Sequence, residues 1–385
     1  MGQLTGKLSQ YWNTIQGSLF PQLEEELDPL TEKQQQLIAT LELVRIEQFL
    51  PDCFGCEGRP QKTRAAVARS FVAKTVYNID TTVFLIERLK TDKNLRRICG
   101  WENRAQLPSE ATFSRAFADF ADTQLPQRVH QALIKKTLGD EIVLHNSRDS
   151  TAIKAREKAQ PKANTEKEEV LVQEPKKRGR PKKGEERPIP PPTRIERQGM
   201  MTLEEMLKDL PTSCDKGAKK DSKGNTMYWN GYKLHLDTID GCIPVSAIVT
   251  SASVHDSQVA IPLATLTAKT IVNLYDLMDA AYDVSAIIEH SKSLGHIPLI
   301  DKNPRRDKEL QEALKIEAKN RKTLNLSTPE EIRYNVRTTA ERANSRLKDE
   351  FGACKVRVRG HAKVACHLMF GVLALAADQL MRLVT

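Results

Sequence analysis

Short apolar runs alternate with amphipathic segments across residues 141–153 and 228–352, and this alternation restricts the possible folds more than any other feature. Strands are predicted in the runs EIVLHNSRD, KLHLDTID, IPVSAIVTSA, IVNLYDLMDA and IPLIDKN. Helices are predicted in DSQVAIPLATLTAKT, SAIIEHSKSLG and a long segment that begins at Thr328. Asp240-Gly241 predicts a hairpin turn between the second and third strands. This order predicts a mixed α/β sheet flanked by helices.

The charge balance favours polyanionic partners. The 385 residues include 59 Lys and Arg against 50 Asp and Glu, a net charge of +9, and neutralised phosphates release counterions that drive binding. The most apolar stretch runs from Val364 to Leu383, but His367, Asp378 and Gln379 interrupt it. We therefore predict a buried terminal helix and a soluble, cytoplasmic protein with no membrane partner.

Cysteine usage indicates a reducing compartment, because the seven cysteines are spread along the whole chain. Cys53 and Cys56 form a C-x2-C pair, but no second pair follows at zinc-finger spacing. The pair is either part of a structural metal site or two ordinary thiols, and the sequence favours the thiols.

Residues 1–140 read as mostly helical. One helix is predicted to begin near Glu110 with Ser109 as its N-cap. Arg104 and Arg115 lie near the starts of short helices, which suits a helix-turn-helix-like DNA-binding region. A helical bundle with a solvated basic face fits these residues equally well.

Residues 154–227 are predicted to form a largely flexible basic insertion. They contain no Phe, Trp or Tyr and eight prolines, so they bury too little apolar surface to offset the entropy of ordering. One short helix is predicted in TLEEMLKDL. The core Arg178-Gly179-Arg180-Pro181 resembles an AT-hook, whose arginines enter a narrow minor groove. A solvated linker is the alternative to DNA contact by Arg178 and Arg180.

Near the C-terminus, four side chains of different chemistry recur at helical spacing. On a helix turning about 100° per residue, Tyr334, Arg337, Glu341 and Lys348 return to one side. Two upstream aspartates, Asp149 and Asp279, each follow an apolar run. Three carboxylates from two strand ends and one helix suit a site for two hard divalent cations.

In this order, the segments RDST, DAAYD and Y-x2-R-x3-E-x6-K resemble the DDE transposases of bacterial insertion sequences, in the group with the Tyr-Arg-Glu-Lys signature. The resemblance covers roughly residue 60 to the C-terminus. It implies a ribonuclease-H-like catalytic fold that cleaves and rejoins double-stranded DNA at transposon ends. It also implies assembly as a homodimer or a higher synaptic oligomer.

Carried over residue by residue, the resemblance makes Asp149, Asp279 and Glu341 the catalytic, metal-binding triad. Two Mg²⁺ or Mn²⁺ ions about 4 Å apart would activate the attacking oxygen and stabilise the leaving one. Tyr334, Arg337 and Lys348 would then bind DNA phosphates near the cleavage point, Arg by paired hydrogen bonds and Lys as a point charge.

Each of these residues has an alternative interpretation. Asp149 and Asp279 could be turn residues, and Arg337 could simply pair with Glu341 on the helix. Asp283 competes with Asp279, although its position suits a cap of the next helix. Asp237 and Asp256 are weaker carboxylate candidates, and His255-Asp256 is expected to open a helix.

Residues 353–385 are expected to form a basic arm followed by the terminal helix. Arg357 and Arg359 alternate with apolar residues, so one side of the arm would contact the DNA backbone or, alternatively, only solvent.

Taken together with the resemblance, the sequence predicts a metal-dependent cut-and-paste transposase. The alternatives are a non-catalytic DNA-binding relic, a related nuclease without strand transfer, and an oligomeric scaffold.

Overall fold

A computed structural model describes residues 29–51, 64–160, 191–220, 224–305, 307–354 and 356–383. In the described part of the N-terminal region the helices are α1 Glu32–Val44, α2 Arg64–Val76, α3 Thr82–Thr91, α4 Lys93–Ile98, α5 Glu110–Asp122 and α6 Leu125–Leu138. Ser109 is the N-cap residue of α5 as predicted, but its side chain makes no capping hydrogen bond. Phe71 packs against the rings of Phe113, Phe117 and Phe370 at centroid distances of 4.9 to 5.9 Å.

A mixed sheet confirms the predicted α/β architecture. Its strands are β1 Ile142–Lys154, β2 Asp215–Lys220, β3 Thr226–Ile239, β4 Ile243–Ser251, β5 Val272–Met278 and β6 Ile297–Ile300. The order is β2-β3-β1-β5-β6, and β4 also pairs with β3. β1, β5 and β6 are parallel, whereas β3 is antiparallel to β1, β2 and β4. The predicted hairpin joins β3 to β4, with positive φ at Gly241 and Cys242.

Helices cover both faces of the sheet because side chains alternate along β1. On one face lie α7 Arg194–Gln198, α8 Leu203–Asp209, α9 Ser257–Ala268 and α10 Ser285–Ser293. On the other lie α13 Thr338–Asp349 and α14 His361–Arg382. By length and composition α14 could cross a membrane, but 83% of its most apolar window is buried inside the protein. The predicted buried terminal helix is therefore confirmed.

The structure contains local elements that the sequence did not predict. Part of the region predicted to be a flexible insertion forms α7, α8 and β2, because capping boxes at Thr193 and Thr202 start the helices and Met206 enters a core cluster. The helix predicted in TLEEMLKDL is α8. A helix that the sequence did not predict, α11 Lys308–Leu324, has no buried residue.

The segment that begins at Thr328 was predicted to be one long helix, but it forms two helices. Thr328 caps α12 Pro329–Tyr334 through a capping box, as expected for the start of the helix. A 3-10 turn, Asn335–Arg337, then separates α12 from α13. The division of the chain into domains stays a prediction, since one apolar cluster joins the N-terminal helices, the sheet and α14.

Candidate active site

Asp149 and Asp279 lie side by side because of the register between β1 and β5. The parallel pairing matches Ile142 with Val272 and Ser147 with Leu277, a constant offset of 130 positions. The same offset separates the two aspartates (279 − 149 = 130), so they fall opposite one another just beyond the last pair. Neighbouring strands are roughly 5 Å apart, which brings the two half-buried carboxylates together.

The two aspartates differ in their backbone setting. Asp279 directly follows β5, as predicted, and its carboxylate accepts a hydrogen bond of 2.9 Å from the Ala281 amide. Asp149 was expected at a strand end but lies inside β1, which continues to Lys154 because it pairs with β3 there. Asp149 therefore sits where its parallel neighbour ends and not where its own strand ends.

Helix α13 holds Asp149 from the same face of the sheet. Asn344 donates a hydrogen bond of 3.0 Å to Asp149 Oδ2, and Thr339 Oγ1 lies 3.1 Å from Ser147 Oγ. Burial raises the pKa of Asp149, and the neighbouring charge of Asp279 raises it further. The Ser150 amide and the cations Lys219 and Arg337 act in the opposite direction and lower it. The charged form of the Asp149 carboxylate is therefore disfavoured by its burial and by the neighbouring acid.

Arg337 links the signature residues to all three predicted carboxylates. It donates a hydrogen bond of 2.8 Å to Glu341, and its guanidinium lies 5.7 Å from the centre of the Tyr334 ring. Burial alone would lower the pKa of Arg337, but Tyr334, Glu341, Asp149 and Asp279 together raise it. The 3-10 turn that interrupts the helix places this cation among the acids.

Tyr334 and Lys348 lie on either side of this cluster. Tyr334 donates a hydrogen bond of 2.7 Å to Asp301, and its burial raises the pKa of the phenol. Lys348 is half-buried, and its pKa is lowered by burial first and also by the nearby charge of Lys219. The predicted set of four signature side chains is thus brought to one region, although by a helix, a 3-10 turn and a second helix.

The donor chemistry fits a hard divalent cation in part. Asp149 and Asp279 supply adjacent carboxylates, and the buried Asn344 Oδ1 accepts no hydrogen bond from any residue that the structure describes. Glu341 is instead engaged by Arg337, with half of its side chain exposed. Within the described ranges there is no group of three His, Cys, Asp or Glu arranged to hold a metal. For Glu341 to serve as a third carboxylate ligand, it would have to leave its ion pair with Arg337 and bind the metal ion instead.

The other acids are occupied elsewhere. Asp237 is fully buried, where Arg148 donates to both of its oxygens at 2.8 Å and Thr267 donates a further hydrogen bond. Asp256 accepts a hydrogen bond of 2.9 Å from Lys233. As expected, Asp256 stands at the start of α9, although its side chain makes no capping hydrogen bond.

Asp283 was expected to cap the helix after it, and this was wrong. Val284 is the N-cap residue of α10, and it makes no side-chain capping bond. Asp283 instead accepts a hydrogen bond of 2.9 Å from the Asn303 amide. Asp283 therefore holds the loop after β6, and Asp279 remains the aspartate beside Asp149.

Family models match the chain across this site and the N-terminal helices. The model described as Transposase DDE domain matches residues 149–377, which is more than half of the chain, and its match begins at Asp149 itself. The chain belongs to this family of DDE transposases. A second model, described as Transposase domain (DUF772), matches residues 22–119. Searches of curated proteins and of solved structures find no match.

Sequence reasoning missed one cation of this DDE-family site, Lys219 of β2. Lys219 is exposed, yet its charge lowers the pKa of Asp149 and that of Lys348. The β2–β3 ribbon therefore lies beside the aspartates. Its only signal in the sequence was the basic run KGAKK, which is equally typical of a solvated linker.

Replacing Lys219 with Gln is expected to raise the pKa of Asp149, because a nearby positive charge that favours the carboxylate is lost. A carboxyl-carbon NMR titration would measure the change. Lys216→Gln is the matched control, since Lys216 lies on the same strand but stacks 5.0 Å from the centre of the Tyr228 ring. Equal titration curves for Asp149 in the two variants would contradict the placement of Lys219.

Gly231 sets the course of the ribbon. It lies in β3 with φ of +152°, and a Cβ there would come within 2.1 Å of the Ile153 carbonyl oxygen. Gly231→Ala is expected to reduce the free energy of unfolding by roughly 1–3 kcal/mol, as overpacking does. Chemical denaturation would measure this, with Gly199→Ala as control because its added Cβ meets only ordinary contact at 3.6 Å. Unchanged stability in Gly231→Ala would show that the strand relaxes freely.

An extended segment between α13 and α14 carries Arg357 and Arg359, which are both exposed. Val356 in the same segment is buried. This alternation is the one predicted for the basic arm. Arg178 and Arg180 of the AT-hook-like core lie outside the described residues, as do Cys53 and Cys56.

Proposed function

We propose that this chain is a metal-dependent transposase that binds the ends of its own mobile element and performs DNA strand cleavage and strand transfer. The observation that most supports the proposal is the register that brings Asp149 opposite Asp279, with Arg337 coupled to both and to Glu341. The mixed sheet flanked by helices suits the ribonuclease-H-like core expected of the family.

Asp149, Asp279 and Glu341 would hold the divalent ions. When bound, two Mg²⁺ or Mn²⁺ ions activate the attacking oxygen and neutralise charge on the leaving oxygen. Arg337 balances the three carboxylates in the protein alone. With cations held by these carboxylates, the Arg337 guanidinium would be free to bind a phosphate through two hydrogen bonds. This exchange gives Arg337 one role before metal binding and another on DNA.

Tyr334 and Lys348 then frame the scissile phosphate. Lys348 supplies a partly buried point charge on the Asp149 side. Tyr334 can exchange its hydrogen bond to Asp301 for one to a phosphate oxygen. The N-terminal helices, in a helix-turn-helix-like arrangement, and the AT-hook-like core at Arg178 and Arg180 would bind the transposon end and the target DNA. A homodimer or larger assembly would hold two ends together, in the cytoplasm on the nucleoid.

The test uses labelled duplex DNA that carries the terminal repeats flanking this gene, with Mg²⁺ or Mn²⁺. End-specific nicking followed by joining of a pre-cut end to a plasmid is the expected result. Nicking without joining would instead identify a nuclease without strand transfer. Binding of the ends without nicking under either metal would identify a DNA-binding relic.

A further inference from the structure

A cavity of about 450 Å³ lies where four parts of the chain meet, and its lining includes none of Asp149, Asp279 and Glu341. Helices α2 and α5 and the start of α3 form one side, and Arg156, beyond the end of β1, forms another. The basic arm and the first turns of α14 close it. The cavity therefore joins the N-terminal helices to the two segments that leave the candidate active site.

Positive charge dominates the cavity. Its lining includes five cations, Lys74, Arg156, Arg357, Arg359 and Lys363, against the two acids Asp80 and Glu110. In the part of the chain that the structure describes, no charged side-chain group of these five residues makes a hydrogen bond or an ion pair. Cations with full hydrogen-bonding capacity around one space are arranged to receive an anion.

Lys74 is the most informative of them because it is buried. Only 8% of the residue is exposed, and long cationic side chains are seldom buried without a partner. Burial lowers its pKa to about 8, although Asp80 raises it in part. A phosphate in the cavity would supply a counter-charge in addition to that of Asp80.

The remaining walls suit a phosphate that arrives on a larger molecule. Thr81 caps α3, so the first amides of that helix, at Thr82 and Val83, have no partner within the helix and border the cavity. Phe71, Phe117 and Phe370 form an apolar base that makes the cationic groups less solvated. The exposed arginines Arg357 and Arg359 leave one side open to an extended polyanion.

We propose that this cavity binds a backbone phosphate of the transposon DNA, at a second contact remote from the cleavage point; the inference rests on the proposed function. Seven residues separate Asp149 from Arg156, which at about 3.3 Å per residue places the cavity up to about 23 Å away. At about 3.4 Å per base pair, the contacted phosphate lies no more than about seven base pairs from the scissile one. The cavity would fix how far the DNA extends from the active site.

The test compares two variants that each remove two positive charges. Arg156→Gln/Arg357→Gln alters the cavity, and Lys269→Gln/Lys292→Gln is the matched control, since Lys269 is the C-cap residue of α9, Lys292 lies in α10, and neither lines the cavity. Binding of terminal-repeat DNA is measured over a range of salt. The cavity variant should bind more weakly, with a salt slope reduced by about one, because one phosphate contact is lost. The control should keep the wild-type slope.

Two further measurements place the contact and separate it from folding. Ethylation of phosphates within about seven base pairs of the cleavage site should weaken binding of wild type but not of the cavity variant. Lys74→Met should raise the melting temperature while weakening DNA binding, because it removes a buried cation whose burial penalty Asp80 offsets only in part. Lys74→Met that melts below wild type would contradict this role for the buried charge.

Each failure has a distinct meaning. Equal salt slopes for the cavity variant and the control would overturn the phosphate site even if DNA cleavage proceeds. Cavity-dependent binding of inorganic phosphate or ATP, without any effect on DNA affinity, would assign the cavity to a free phosphate ligand and overturn the DNA contact. Absence of DNA binding by wild type would instead remove the proposed function on which the inference rests.

Discussion

Asp149→Asn and Asp279→Asn are each expected to lower the rate of DNA cleavage by at least about 10³-fold, because a lost metal ligand removes several kcal/mol of transition-state stabilisation. Both substitutions should leave the fold intact. Asn at 149 can still accept the Asn344 hydrogen bond, and Asn at 279 can still accept the one from the Ala281 amide. Cleavage of labelled terminal-repeat DNA in Mg²⁺ measures the loss.

Stability and binding separate this loss from unfolding. Burial raises the pKa of Asp149, so the folded protein holds that proton to higher pH than the unfolded chain does. This carboxylate therefore destabilises the fold as pH rises through the raised pKa, and at neutral pH Asp149→Asn should melt no lower than wild type. Asp283→Asn is the control, since Asp283 holds the Asn303 loop. If Asp283→Asn abolished cleavage while Asp279→Asn did not, the assignment would move to Asp283.

Arg148→Met is expected to reduce the free energy of unfolding by about 3–5 kcal/mol, because it leaves a buried carboxylate without its counter-charge. Arg148 and Asp237 are 2% and 0% exposed and are joined by two hydrogen bonds of 2.8 Å. The pair crosses between β1 and β3, one residue before Asp149. Its loss should therefore disturb the strand that positions the first aspartate. Urea denaturation followed by circular dichroism measures the change.

Two comparisons interpret that result. Arg148→Met/Asp237→Asn should recover much of the stability, because no unpaired buried charge remains. Arg88→Met should cost at most about 1 kcal/mol, since Arg88 is exposed and lies 3.7 Å from Asp92 in a solvent-screened ion pair. If Arg148→Met lost no more than Arg88→Met, the buried pair would contribute nothing to holding β1.

The sequence predicted the elements near the site well where the signal is local. Asp240-Gly241 marked the β3–β4 hairpin, and the apolar run before Asp279 marked β5. The helical spacing from Tyr334 to Lys348 marked the signature segment, but the 3-10 turn at Asn335–Arg337 was not predicted. Helical periodicity does not distinguish a continuous helix from one with a tightened turn.

Composition was a poor guide to the insertion after Asp149. A segment without aromatics was expected to be flexible, yet α8 packs Met206 into a cluster with Met278 and Tyr282. β2 pairs with β3 along its whole length and carries Lys219 to the aspartates. The partners that order these residues lie far away in sequence, so no local average of composition could indicate them.

The sequence by itself predicted an α/β order typical of the DDE family and the residues proposed to carry the chemistry, namely Asp149, Asp279, Glu341 and the signature cations. Only the tertiary structure decided that a strand register of 130 positions brings the two aspartates together, and that Arg337 engages all three acids. It also decided that Lys74 and Arg156 share a cavity. Periodicity and turn chemistry act over a few residues, whereas register, burial and charge coupling depend on contacts between distant segments.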